Sequence, residues 1–308
     1  MVRVYLHIGT AKTGTTTLQR FLCKNENVLS DLGYLYPKSG RPANNPIAHY
    51  NLANAIKSDS RLYNRHTGKW TDVSHQFIDL HQEIEQQNLS NVIVSCESFS
   101  RDPKELDKLK HELSRYEVKI LVYLRKQEKF LLSAYIESIK QGSYLSFKEY
   151  IDKKLDLVNY YGLLSLWSSL FGKDNLIIRV FEQDKLKGNI FEDFLVSIGI
   201  EDISQFNLNI ARYNVSPPAK TINFLRYLNS ISIGKLSLSY HTCRQLYINR
   251  FLYSKKWQAL SLIIPNFLVS EELNFNFEDY SNDFQEMNKK VVAEYFQSQE
   301  ICLFDESF

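Results

Sequence analysis

The first place in this chain where residue types imply chemistry is a lysine set among small and hydroxylated residues. Lys12 lies in the run Gly9-Thr10-Ala11-Lys12-Thr13-Gly14-Thr15-Thr16-Thr17. A loop of this kind between a strand and a helix turns several backbone N–H groups, and the positive end of a helix dipole, toward one point. That point suits an anion, most simply a phosphate. Four residues separate Gly9 from Gly14, as in the nucleoside-triphosphate loop G-x-x-x-x-G-K-[ST], yet the residue after Gly14 is Thr15. A triphosphatase uses the lysine at that place to reach the outer phosphates. Thr16 could hold magnesium as the following Ser/Thr does there, but the lysine is missing from its place. The loop therefore implies phosphate binding and argues against triphosphate hydrolysis.

Two more strand ends carry pointed chemistry. Asn91-Val-Ile-Val-Ser-Cys-Glu97 reads as a buried strand ending in a carboxylate, and Val118 to Leu124 reads as another ending at Arg125. Ser133 follows Arg125 by eight residues, about two turns into the next helical stretch. An arginine at a strand end and a serine on the following helix can grip one phosphate from two sides. For proton transfer, Glu97 is the preferred base, with an ion pair to Arg125 or to a loop lysine as its alternative role. His49, in the helix expected after Asn45-Pro46, is the second candidate for the base.

These residues need elements to position them. Val2, Val4, Leu6 and Ile8 alternate as in a strand, and Leu18, Phe21 and Leu22 resume with helical spacing. Further helices are expected over about 72–87, 128–141 and 159–171, one opens at Asp102-Pro103-Lys104-Glu105, and a fourth strand spans Asn175 to Phe181. Asp31 to Pro37 reads as a short extended segment, and Arg61, Arg65, His66, Lys69 and Trp70 as a basic surface loop or a substrate-facing stretch. Strands alternating with helices predict right-handed βαβ units, hence an α/β chain with a central parallel β-sheet flanked by helices. Beyond Gly188 only helices are expected, near 190–198, 217–230, 240–262 and 283–298. The expectation is one domain over 1–308, with an α/β nucleotide-binding core at 1–188 and a helical C-terminal part at 189–308. In an open parallel sheet ligands bind beyond the carboxyl ends of the strands, where Lys12, Glu97 and Arg125 are placed.

Bulk composition narrows the classes. The chain has 308 residues, with 37 Lys+Arg against 35 Asp+Glu, so its net charge of +2 excludes coating nucleic acid by bulk electrostatics. Any anion must be held by local geometry. Cys23, Cys96, Cys243 and Cys302 form no C-x-x-C pair, which predicts reduced thiols in a cytoplasmic compartment and neither a zinc site nor a disulfide framework. No apolar run approaches the length of a membrane span, and no basic-then-apolar leader opens the sequence.

Taken together, Lys12-Thr13-Gly14-Thr15-Thr16 resembles the 5′-phosphosulfate loop of sulfotransferases that use 3′-phosphoadenosine 5′-phosphosulfate. Arg125 in Val-Tyr-Leu-Arg and Ser133 in Phe-Leu-Leu-Ser-Ala-Tyr resemble the same family's 3′-phosphate motif. The closest flavour is that of bacterial carbohydrate-type sulfotransferases, over roughly residues 2–25 and 90–142. The resemblance departs from the pattern at Ala11, where proline is common, and in the absence of a clear glycine-containing basic clamp near the C-terminus; Arg212, Asn214 and Ser216 are the nearest candidates. It implies a P-loop NTPase-like sulfotransferase fold and in-line transfer of a sulfuryl group to an acceptor hydroxyl on a small molecule or saccharide. It also implies that Lys12 and the amides of Thr13, Gly14, Thr15, Thr16 and Thr17 meet the leaving phosphate, and that no metal is needed. 3′,5′-Adenosine bisphosphate is then the product. Two other classes remain open at this stage, a kinase-like phosphoryl transferase and a non-catalytic nucleotide-binding module.

Overall fold

The computed structural model describes residues 1–64, 69–101, 105–210, 219–231, 277–296 and 302–304. The chain packs as two compact units that interleave along the sequence. The first comprises Met1–Lys126, Asn159–Arg212 and Glu286–Phe308, and the second Gln127–Val158 and Tyr213–Gln285.

The first unit is built on a five-stranded sheet of β1 (Arg3–His7), β2 (Tyr34–Leu35), β5 (Asn91–Ser95), β6 (Glu117–Leu124) and β7 (Leu176–Val180), in the order β2-β5-β1-β6-β7. Every pairing in it is parallel. Parallel strands must be buried on both faces, which is why β1, β5 and β6 read as near-continuous apolar runs. One face carries Tyr5, Ile93, Leu121 and Tyr123, which form a core with Leu18, Phe21 and Leu22 of α1 (Thr15–Lys24). Leu29 of α2 (Glu26–Asp31) joins that core, as do Phe194 and Leu195 of a later helix, Ile190–Ser197. Phe21 stacks on Phe191, ring centroids 4.5 Å apart.

The remaining elements of this unit are α3 (Tyr50–Ala55), the hairpin β3 (Arg61–Asn64) and β4 (Lys69–Asp72), α4 (Gln76–Gln87), α5 (Ser98–Arg101) and α6 (Leu106–Glu112). The helix Tyr160–Phe171 packs on β6 and β7 with Leu164 and Trp167 buried. The second unit holds α7 (Gln127–Lys140), α8 (Phe147–Lys154) and the helix Ala219–Ile231 around Tyr135, Ile139, Tyr150, Ile222 and Leu225. The helix Glu278–Tyr295 carries segments of both units.

Three local expectations are corrected. In the basic stretch, Arg61–Asn64 pairs antiparallel with Lys69–Asp72, with Tyr63 directly across from Trp70 and their ring centroids 5.1 Å apart, while Arg65 and His66 fall outside the described residues. These strands are mostly polar, so their alternation carries no apolar signal. The helix expected after Asn45-Pro46 begins only at Tyr50, because Asn45 closes a turn onto Pro42. A helix that the apolar spacing did not reveal, α8, opens at Ser146, whose side chain and that of Glu149 form a reciprocal capping box. The helix opening placed at Asp102-Pro103-Lys104 and the helix at 240–262 fall outside the described residues.

Candidate functional site

The order β2-β5-β1-β6-β7 sends the chain from β1 toward one edge of the sheet and from β6 toward the other. The carboxyl ends of these adjacent strands therefore flank the switch point, where an open α/β sheet forms its crevice. The loop after β1 and Arg125 after β6 lie at these two ends.

The loop is shaped by three residues in the left-handed region: Gly9 (φ +43°), Lys12 (φ +70°) and Gly14 (φ +75°). Gly9 is there for space as well as for φ, since a Cβ would lie 2.6 Å from the Thr15 methyl and 3.3 Å from His7 Nε2. Lys12 has no such licence, and a non-glycine residue held left-handed stores on the order of 1 kcal/mol. The loop is fastened to β6 by Thr10, whose hydroxyl donates to the Tyr123 carbonyl at 2.6 Å, and internally by Thr13 Oγ1 donating to the Thr10 carbonyl at 2.6 Å. Gly14 caps α1, its carbonyl accepting from the Thr17 and Leu18 amides, and the first turn of α1 bears no acidic side chain. An anion meets backbone dipole there without opposing charge.

Arg125 reaches the same loop. Its Nη1 donates to the Lys12 main-chain carbonyl at 2.6 Å, and its guanidinium lies 5.8 Å from the centre of the Phe181 ring. A Cβ on Gly14 would stand 3.4 Å from that ring, so Phe181 is wedged between the cap of α1 and Arg125. The Arg125 carbonyl accepts from Tyr160 at 2.6 Å. Burial pushes the guanidinium down from its ordinary value, while the nearby charges of Glu182 and Tyr160 act the other way. Three strand ends thus meet: those of β1, β6 and β7, the last through Phe181, whose amide bonds the Leu124 carbonyl. Phe181 was not singled out from sequence, although it closes a strand as Glu97 and Arg125 do.

Glu97 stands between β5 and α5 and is only 8% exposed. Its Oε1 accepts from the Tyr50 hydroxyl at 2.6 Å and its Oε2 from Gln19 Nε2 at 3.1 Å. Gln19 also reaches Ser95 Oγ at 3.3 Å, and Ser95 Oγ lies 2.8 Å from His7 Nδ1. Neither Gln19 nor Tyr50 was marked as functional from sequence: the former reads as a helix residue, the latter as one aromatic among many.

His49 does not present a free base. It is wholly buried, its Nδ1 accepts from the Ser95 amide at 3.1 Å, and its Nε2 lies 3.0 Å from the Pro37 carbonyl. Burial, helped by the Arg41 charge, lowers it to about 4, so it is a neutral ring spent on main-chain partners. Its geometry is that of a brace between the segment at Pro37 and β5. Ser133 lies half-buried on α7, in the second unit. Arg212, Asn214 and Ser216 fall outside the described residues. Among the described residues no helix is long and apolar enough to cross a membrane.

No known family profile matches the chain. An uncharacterised protein of Archaeoglobus fulgidus is 28% identical over 207 residues, which cover 67% of this chain and 54% of that protein. The chain thus spans about half the length of the relative it matches. Among solved structures, the crystal structure of a sulfotransferase from Alicyclobacillus acidocaldarius aligns with a TM-score of 0.40 at 14% identity, covering 77% of this chain and 98% of that one.

Proposed function

We propose that this chain is a sulfotransferase that moves the sulfuryl group of 3′-phosphoadenosine 5′-phosphosulfate to an acceptor hydroxyl, on a carbohydrate or glycolipid. The observation that carries this reading is the meeting of the Lys12 loop with Arg125 at the switch point of the sheet. These are two of the positions that the motif resemblance assigns to the two phosphate ends of one donor. The left-handed loop, the glycine cap of α1 and a first turn free of acidic residues suit a phosphate.

In this reading Lys12 and the amides of Thr13 to Thr17 receive the charge that grows on the leaving phosphate, the step at which preorganised donors are worth most. Arg125 holds the 3′-phosphate, so that remote binding aims the reacting centre. Glu97 takes the proton of the acceptor hydroxyl as it attacks.

Thermal stabilisation tests the reading. A ligand that binds only the folded state stabilises it by about 2.7 kcal/mol at a hundred times its dissociation constant. 3′,5′-Adenosine bisphosphate is expected to raise the melting temperature without a metal, and more than ATP with magnesium at equal concentration. The reverse order of the two ligands would replace the sulfotransferase reading with a kinase-like one. Radiolabelled donor offered with a panel of saccharides then reports transfer directly.

A further inference from the structure

We infer that Gln19 and Tyr50 are positioning residues for Glu97, holding its carboxylate from two directions and tying its place to the helix that begins at the phosphate loop. This rests on the reading of Glu97 as the base and goes beyond it, by naming what makes that carboxylate usable.

The chemistry of the groups fixes the direction of both bonds to Glu97. An ionised carboxylate only accepts, so the Gln19 side chain must present its NH₂ to Glu97 Oε2. The second hydrogen of that NH₂ is directed at Ser95 Oγ. Ser95 Oγ also lies 2.8 Å from His7 Nδ1, with the donor there set by the tautomer of the ring. His7 is neutral: burial holds it at about 4, against the opposing pull of the Glu97 charge. Gln19 and Tyr50 thus both donate to Glu97, and neither has to change its proton to keep the arrangement.

Position matters as much as polarity. Gln19 lies four residues after Thr15, and both are buried on α1, so they share a face one turn apart. The helix whose first turn faces the donor phosphate is thus the helix that sets Glu97 Oε2. In an in-line transfer the base and the leaving-group site must stay in fixed register, and one rigid element bearing on both keeps it. Tyr50 takes the other carboxylate oxygen. The His49 amide bonds the Ser95 carbonyl at 3.0 Å and the His49 ring bonds the Ser95 amide, which pins the start of α3 to the end of β5 and delivers the next residue, Tyr50, to Glu97 Oε1. The buried His49, its ring on main-chain partners, thus places the hydroxyl that holds Glu97.

The test is a set of variants in the full chain: Tyr50→Phe, Gln19→Met and Glu97→Gln, singly and combined. Each is read for turnover with 3′-phosphoadenosine 5′-phosphosulfate and a saccharide panel, for bisphosphate affinity by calorimetry, and for melting temperature. Tyr50→Phe and Gln19→Met are each expected to lower turnover tenfold or more, with bisphosphate affinity within twofold of wild type. In the Glu97→Gln background neither is expected to lower the rate further, because residues that act through one group are not additive. Tyr50→Phe keeps the ring and removes only the hydroxyl, so it remains informative should Gln19→Met fold poorly. Wild-type turnover in both single variants, beside a collapse in Glu97→Gln, overturns this inference and leaves the base intact. Wild-type turnover in Glu97→Gln overturns both. Additive losses in the Glu97→Gln background show that Gln19 and Tyr50 act independently of the carboxylate and also overturn the inference.

Discussion

Arg125 Nη1 donates to the main-chain carbonyl of Lys12 at 2.6 Å, joining residues 113 positions apart. The carbonyl belongs to the left-handed turn that carries the lysine, so the end of β6 holds the shape of the loop after β1. A cation at a strand end that supports the neighbouring loop can couple loop geometry to whatever anion the loop holds.

Arg125→Ala is therefore expected to act in two ways. Donor affinity, read by calorimetric titration with the bisphosphate, falls tenfold or more. Stability in urea falls by about 1–2 kcal/mol, as the Lys12 carbonyl loses a charge-assisted partner. Unchanged affinity would separate Arg125 from the donor.

Lys12 separates backbone strain from side-chain chemistry. Lys12→Ala and Lys12→Gly both remove the amine and are expected to abolish transfer. They differ in the backbone, because glycine accepts φ near +70° without penalty. Lys12→Gly should exceed Lys12→Ala in stability by about 1 kcal/mol. Equal melting curves would show that the turn is relaxed in solution, and full activity in either variant would remove Lys12 from the reaction.

Gly9 is bounded by the Thr15 methyl. Gly9→Ala is expected to be strongly destabilising, since the new Cβ would lie 2.6 Å from that methyl and φ is +43°. Adding Thr15→Ser removes the methyl and keeps the hydroxyl. The double variant should recover part of the loss and leave the φ penalty. No recovery would locate the whole effect in the backbone.

Stability should depend on pH through His7 and His49, both buried neutral and both lowered to about 4. In the unfolded chain they protonate near 6.5, so between about 6.5 and 4 the unfolded state binds more protons. Their contribution is then fully present above 6.5 and is lost as pH falls toward 4, on the order of 3 kcal/mol for each ring. Urea unfolding at pH 7 and at pH 5 measures the slope. His49→Asn is expected to be less stable at pH 7 and to show a shallower loss between the two. A wild-type stability that is flat from pH 7 to 5 would refute the assignment of either ring as buried and neutral.

Much of this was legible along the chain. β1, β5, β6 and β7 were each found from apolar runs, and the glycines at 9 and 14 marked the loop, because burial on both faces of a parallel sheet leaves a continuous local signal. The β3–β4 hairpin escaped because polar, exposed strands have no apolar alternation, and His49 looked chemical because a sequence does not show that both ring nitrogens are already engaged. Gln19 and Tyr50 escaped for a related reason: their partner is Glu97, 78 and 47 residues away.

The amino-acid sequence by itself determined which residues end which strands, since hydrophobic period, glycine and capping residues act over a few positions. It thereby set Lys12, Glu97 and Arg125 on one edge of a parallel sheet. Only the tertiary structure decided what those residues touch. The strand order β2-β5-β1-β6-β7 brings Arg125 to the Lys12 carbonyl, Phe181 to Gly14, and Gln19 and Tyr50 to Glu97. Strand order is fixed by which apolar faces pack together across the whole unit, and no local window of sequence contains that information.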